Sequence, residues 1–110
     1  MEIKKEKRNN ITCLRIEGCL DASNSSIAEK NVLDTVAAEG ANLIIDLSEL
    51  QYISSAGLRV ILVIAKDIKA KNGKIVLCSM AEGVKKVFEI SGFTSIFDIQ
   101  DNIEAALKRF

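Results

Sequence analysis

The feature that most constrains the fold of this chain is an apolar run followed by a serine-containing turn and a helical pattern. Leu43 to Leu47 is apolar apart from one Asp and shows no alternation, which is typical of a strand covered on both faces of a sheet. Ser54 and Ser55 follow in a short polar passage, and residues 56–71 then repeat apolar side chains at helical spacing. The stretch therefore predicts a buried strand, a tight turn and the start of a helix.

The other elements are predicted from the same periodicities. Strands are expected at 2–8, 11–17, 43–47, 74–79 and 96–99, and helices at 26–39, 56–71, 81–91 and 101–110. Asn9 and Asn10 predict a hairpin turn, and Ser26 with Glu29 fits a capping box at the start of the first helix. The order β-β-α-β-α-β-α-β-α predicts an α/β fold whose mixed sheet has an antiparallel N-terminal hairpin and parallel later strands.

Length and charge limit the class of protein. With 110 residues the chain has room for one core, so a single domain over residues 1–110 is expected. Lys plus Arg and Asp plus Glu each total 15, and a net charge of zero gives no support for a nucleic-acid or membrane partner. No apolar run approaches the ~20 residues needed to cross a bilayer, and no signal peptide opens the chain, so a cytoplasmic protein is expected.

No catalytic or metal-binding set is recognisable. The chain has no His to act as a base for Ser55, no Walker-type glycine loop, and three cysteines without metal-ligand spacing. Cys13 and Cys78 lie in apolar, strand-like runs, where a thiol behaves as a small hydrophobe. We therefore expect no enzyme activity, no metal and no cofactor, with a small nucleotide-binding or hydrolysing protein as an alternative.

The helix after the serine turn carries more apolar residues than one buried face requires. The face expected to pack on the sheet consists of Leu58, Ile61, Leu62, Ala65 and Ile68. Val60, Val63 and Ile64 remain on the sides and the outer face, next to Arg59. Two interpretations stay open for them: burial under a neighbouring helix, or an apolar patch that faces a partner.

Four segments of the chain resemble a known family. They are Gly18-x-Leu20-Asp21, the run from Leu43 to Leu62, the passage from Lys71 to Cys78 and the segment from Val84 to Phe93. Together they are similar to the anti-sigma factor antagonist family, the STAS domain, over nearly the whole chain. The serine turn with its flanking apolar runs is the specific part of the resemblance, which implies a bacterial regulator of transcription that works by partner switching.

In this family, the serine that matches Ser55 is phosphorylated by a serine kinase that is also the anti-sigma factor. The resemblance implies that the unmodified protein binds the kinase and frees its client, and that a PP2C-type phosphatase resets the phosphorylated form. Many members have Asp where this chain has Ser54, so Ser54 is a competing acceptor. A role of Ser55 as nothing more than a helix cap is a further alternative.

The resemblance and the helix pattern together predict a partner-binding surface around the turn. Its predicted residues are Asp21, Ser54, Ser55, Ala56, Gly57, Leu58, Arg59, Val60 and Val63. The main alternative function for the same fold is a docking or ligand-sensing STAS subunit that is not phosphorylated.

Overall fold

A six-stranded mixed sheet organises the protein, as a computed structural model that describes all 110 residues shows. The strands are β1 (Glu2–Arg8), β2 (Ile11–Leu20), β3 (Asn42–Asp46), β4 (Leu50–Ile53), β5 (Lys74–Cys78) and β6 (Asp98–Gln100). They lie in the order β1-β2-β3-β5-β6, and β4 pairs with the end of β2 outside this path. The antiparallel hairpin and the parallel later strands confirm the predicted sheet.

The helices are α1 (Ser25–Glu39), α2 (Ser55–Ala70), α3 (Glu82–Ile90) and α4 (Ile103–Leu107), with a 3-10 turn at Phe93–Ser95. The helices α1, α2 and α3 pack on one face of the sheet and form the main core with it. Strands β2, β3 and β5 contribute fully buried aliphatic side chains to this core. The other face shares a smaller core with α4. None of the helices is both long and apolar enough to span a bilayer.

The N-terminal hairpin turns at Asn9, whose φ of 57° is the left-handed backbone that Asn tolerates. This confirms the predicted turn. Strand β1 lies at the edge of the sheet and is exposed and mostly charged, with Lys5 bonded to Glu39 of α1 at 3.0 Å. Lysines on such an edge keep it from pairing with other strands.

Strand β4 is an element that the sequence patterns did not predict. Its four residues alternate irregularly, since Leu50 and Ile53 are buried while the two residues between them are exposed. It pairs with Gly18, Cys19 and Leu20 of β2, and the register shifts between Gly18, whose φ is 92°, and Cys19. The extra residue at this bulge is Gln51 of β4. Strand β2 has different parallel neighbours at its two ends, β3 along residues 12–15 and β4 along residues 18–20.

The predicted capping box at Ser26 is wrong, because α1 already begins at Ser25 and its N-cap lies two residues before Ser26. Its N-cap is Asn24, and no side chain caps the helix. The Asn24 side chain is used elsewhere: its amide donates to the carbonyl of Cys19 at 2.9 Å, and its oxygen accepts from the Asp21 N–H at 3.0 Å. Asn24 thus uses its side chain for local hydrogen bonds to Cys19 of β2 and to Asp21 of the loop, and not to cap α1.

Candidate functional site

The site begins where β4 ends and α2 starts. Ser54 is the N-cap of α2, with extended backbone, and its hydroxyl oxygen accepts a hydrogen bond from the Gly57 N–H at 3.3 Å. Its own N–H donates to the carbonyl of Leu20 at 3.0 Å, and its carbonyl accepts from Leu58 at 2.9 Å. Ser54 is therefore held by backbone and side chain alike, and it is half-buried.

Ser55 differs from Ser54 in its exposure and in its side-chain hydrogen bonding. It is the first residue of α2, its side chain is exposed, and its hydroxyl makes no hydrogen bond within the chain. The first N–H groups of a helix have no intrahelical partner and carry partial positive charge, so a negative group on this hydroxyl is favoured there. In this turn, the Ser55 hydroxyl is therefore free of hydrogen bonds, whereas the adjacent Ser54 hydroxyl is hydrogen-bonded.

Gly57 sets how closely α2 approaches the sheet. A Cβ atom at this position would lie 2.7 Å from the Leu20 carbonyl oxygen and 2.7 Å from Cγ1 of Ile53. Real side chains do not approach so closely, so only glycine fits between α2 and the ends of β2 and β4. The first turn of α2, including Ser55, is positioned by this contact.

Asp21 lies in the loop that follows β2, beside the serine turn. The parallel pairing of Leu20 with Ile53 brings the ends of β2 and β4 together, so the two loops leave the sheet at the same edge. The Asp21 carboxylate accepts hydrogen bonds from the hydroxyl of Ser23 at 2.5 Å and from its N–H at 2.9 Å. These bonds hold the pKa of Asp21 below its usual range.

The exposed side of α2 carries fewer apolar residues than a partner-facing patch of Val60, Val63 and Ile64 would require. Val60 and Ile64 are buried in the main core, which α1 shares, as the first of the two interpretations had it, whereas Val63 is half-buried. Gly57 and Leu58 are also buried, so these residues lie beneath the predicted surface and support it without being exposed on it. Arg59, by contrast, is exposed.

A groove of about 300 Å³ runs between the N-terminal halves of α1 and α2. Its lining consists of Ser25, Ser26, Glu29, Ala56, Arg59, Val60 and Val63. The three residues from α1 were not among the predicted binding residues. In the sequence, these polar residues indicated only the start of a helix. Their place in the groove depends on the packing of α1 beside α2, a tertiary contact that the sequence pattern does not reveal.

The fold and the serine turn at the start of α2 define a small α/β domain with one exposed, unbonded serine hydroxyl, and comparison with known proteins identifies its family. The sequence model of the STAS domain matches residues 2–106. The protein belongs to the STAS domain family. This confirms the resemblance read from the serine turn and its flanking runs.

Sequence relatives that cover 94% or more of this chain are named as anti-sigma factor antagonists. The BtrV protein of Bordetella bronchiseptica, named as a candidate anti-sigma factor antagonist, is 36% identical over 110 residues, which are 100% of this chain and 95% of that protein. The anti-sigma F factor antagonist of Paenibacillus polymyxa is 28% identical, covering 97% of this chain and 92% of its own. The crystal structure of a candidate anti-sigma factor antagonist from Thermotoga maritima superposes with a TM-score of 0.92 at 25% identity, covering 97% of this chain and 92% of that one.

Proposed function

We propose that this protein is an anti-sigma factor antagonist that switches partners through phosphorylation of Ser55. The unmodified form binds a serine kinase that also serves as the anti-sigma factor, and this binding frees the client of the kinase. The phosphorylated form releases the kinase, and a PP2C-type phosphatase restores the unmodified form. The protein itself is not an enzyme and acts in the bacterial cytoplasm.

The observation that carries this proposal is the exposed, unbonded hydroxyl of Ser55 at the start of α2. A kinase must reach the hydroxyl so that its oxygen can bond to the γ-phosphorus of ATP while the bond to ADP breaks and the proton passes to the kinase. The Ser54 hydroxyl is half-buried and bonded to Gly57 N–H, which makes it the poorer acceptor. The names of the full-length relatives support the same role.

Electrostatics supply the mechanism of release. Phosphorylation adds about −1.5 to −2 charges where a neutral hydroxyl stood. The start of α2 tolerates this charge, so the fold survives the modification. In a closed interface the same group must lose its water, at a cost of several kcal/mol unless the partner supplies cations. A loss of only ~2.7 kcal/mol weakens binding a hundredfold, so the partner leaves without any change of shape.

The binding surface in this proposal consists of the accessible groups around Ser55. Asp21, Ala56, Arg59 and Val63 are at least partly accessible and would contact the kinase. The buried residues of the predicted set, Gly57, Leu58 and Val60, would act by holding α2 against the sheet.

Phosphorylation is tested with the serine kinases of the source genome. The purified protein, Ser54→Ala and Ser55→Ala are each incubated with kinase and ATP, and the product is measured by intact mass and site mapping. One phosphate on the wild type and on Ser54→Ala, with none on Ser55→Ala, supports the proposal. Transfer from no kinase favours the unphosphorylated docking subunit, and ATP hydrolysis by the protein alone favours the nucleotide-hydrolysing alternative.

The release mechanism predicts a specific binding defect. Ser55→Asp should weaken binding to the cognate kinase about tenfold to a hundredfold, because a carboxylate must be desolvated in the interface. Affinity is measured by calorimetry, and circular dichroism should show a native spectrum. Thr94→Asp, an exposed position in the 3-10 turn before β6, is the control and should bind like the wild type. Equal affinities of Ser55→Asp and the wild type would contradict the mechanism.

A further inference from the structure

Arg59 is the only arginine of the chain without a carboxylate partner. Arg8 pairs with Glu6 at 2.5 Å, Arg15 with Glu17 at 3.0 Å and Arg109 with Asp98 at 2.7 Å. Arg59 has no carboxylate oxygen within 4.0 Å of its nitrogens, although Glu29 lines the same groove. Its guanidinium is exposed and available to another anion.

The position of Arg59 relative to Ser55 specifies which anion it can reach. The two residues are one turn apart on α2, where Cβ atoms at this spacing lie about 5–6 Å from each other. Helical side chains lean toward the N-terminus of their helix, so the long Arg59 side chain leans toward the first turn. Both side chains are exposed, and Ala56 of that first turn lines the groove together with Arg59.

We propose that Arg59 binds the phosphate of phosphorylated Ser55 within the same chain. The inference rests on the proposed function in that it concerns the state in which Ser55 carries phosphate. A guanidinium presents two parallel N–H donors that match two phosphate oxygens, which a lysine ammonium cannot do. Glu29 is the other charged group of the groove, and no oxygen of its carboxylate lies within 4.0 Å of the Arg59 nitrogens.

This contact adds a second element to the switch. In the unmodified protein the Arg59 guanidinium is free to pair with a carboxylate of a partner. In the phosphorylated protein the same group is held by the phosphate. Phosphorylation then both adds a negative charge at Ser55 and withdraws a positive group from the binding surface.

The experiment installs phosphoserine at position 55 during translation by codon suppression, so it needs no kinase. The second pKa of the phosphate, ordinarily near 6, is measured by phosphorus NMR in the otherwise wild-type protein and in Arg59→Gln. A cation bound to the phosphate stabilises its dianion, so the phosphate pKa should be lower in the wild type than in Arg59→Gln by about half a unit or more. Lys66→Gln, which removes another exposed cation of α2 that has no ion pair, is the matched control.

The expected result is a raised phosphate pKa in Arg59→Gln and an unchanged one in Lys66→Gln. Equal values in the wild type and Arg59→Gln would overturn the inference, and so would equal shifts in the two variants, because they would reflect net charge alone. Both side chains are exposed, so both variants should fold, and an unchanged thermal midpoint checks this. Failure of kinases to modify Ser55 is read in a separate assay and bears on the proposed function only.

Discussion

Ser54 and Ser55 are chemically identical and adjacent, yet the start of α2 gives their hydroxyls different surroundings. The Ser54 oxygen accepts from the Gly57 N–H, while the Ser55 hydroxyl faces solvent. The sequence predicted Ser55 through a family resemblance and could not exclude Ser54. Serine is a preferred N-cap at either position, and a shift of the helix start by one residue would exchange the two roles.

This difference predicts unequal effects on stability. Ser54→Ala removes the cap and should lower the free energy of unfolding by about 1 kcal/mol. Ser55→Ala removes an unbonded, exposed hydroxyl and should change it by less than about 0.5 kcal/mol. Urea denaturation of the two variants measures both values. The assignment of the cap is contradicted if Ser55→Ala proves to be the more destabilising change.

At the scale of elements, the strand and helix periodicities of apolar residues predicted most of the fold, because most strands and helices bury one apolar face. Strand β4 escaped prediction because its two buried residues, Leu50 and Ile53, are three positions apart and do not follow the strand period of two. The fate of Val60 and Ile64 also depended on tertiary structure, because a helical pattern does not reveal whether α1 covers the second apolar side of α2. The groove between these helices was unpredictable for the same reason.

The approach of α2 to the sheet can be tested at two glycines. Gly57→Ala should destabilise the protein by about 1–3 kcal/mol, because the new methyl group overlaps the Leu20 carbonyl and must displace α2. Gly83→Ala in α3 is the matched control, since no atom lies within 4 Å of its added Cβ. It should be stabilising by up to about 1 kcal/mol, as is usual for Gly to Ala in a helix. Thermal midpoints that move the same way in both variants would argue against the close contact.

At the scale of the whole molecule, two cores share one sheet, and the smaller core under α4 encloses two thiols. Cys13 and Cys78 are buried there beside Ile44, Val76 and Ala106. The sequence predicted both cysteines as small apolar residues of strands. Burial raises the pKa of the Cys13 thiol, and it raises the pKa of Cys78 to about 11.

The buried thiol makes stability depend on alkaline pH. The pKa of Cys78 is higher in the folded state, about 11, than the value of 9.0 that applies to an exposed thiol. The protonated thiol therefore contributes stability that is fully present below pH 9 and is lost as the pH rises toward 11. With 1.36 kcal/mol for each pKa unit, the loss amounts to about 2–3 kcal/mol.

Urea denaturation at several pH values between 8 and about 11 measures this dependence. Cys78→Ala should be less stable than the wild type at neutral pH, because it leaves a cavity, and should lose less stability on going to alkaline pH. Cys19→Ala changes an exposed thiol and should keep the wild-type dependence. Parallel curves for Cys78→Ala and the wild type would contradict the role of this thiol, since Cys13 is present in both.

The pairing of β2 with β4 has a consequence for how an enzyme can recognise Ser55. The bond from Ser54 N–H to the Leu20 carbonyl ties the serine turn to the loop that holds Asp21, which lies far away in the chain. The groove beside Ser55 likewise takes its other wall from α1. The surroundings of the hydroxyl thus exist only in the folded domain, and a kinase or phosphatase that reads them recognises a conformational epitope, which a linear peptide around the serine would lack.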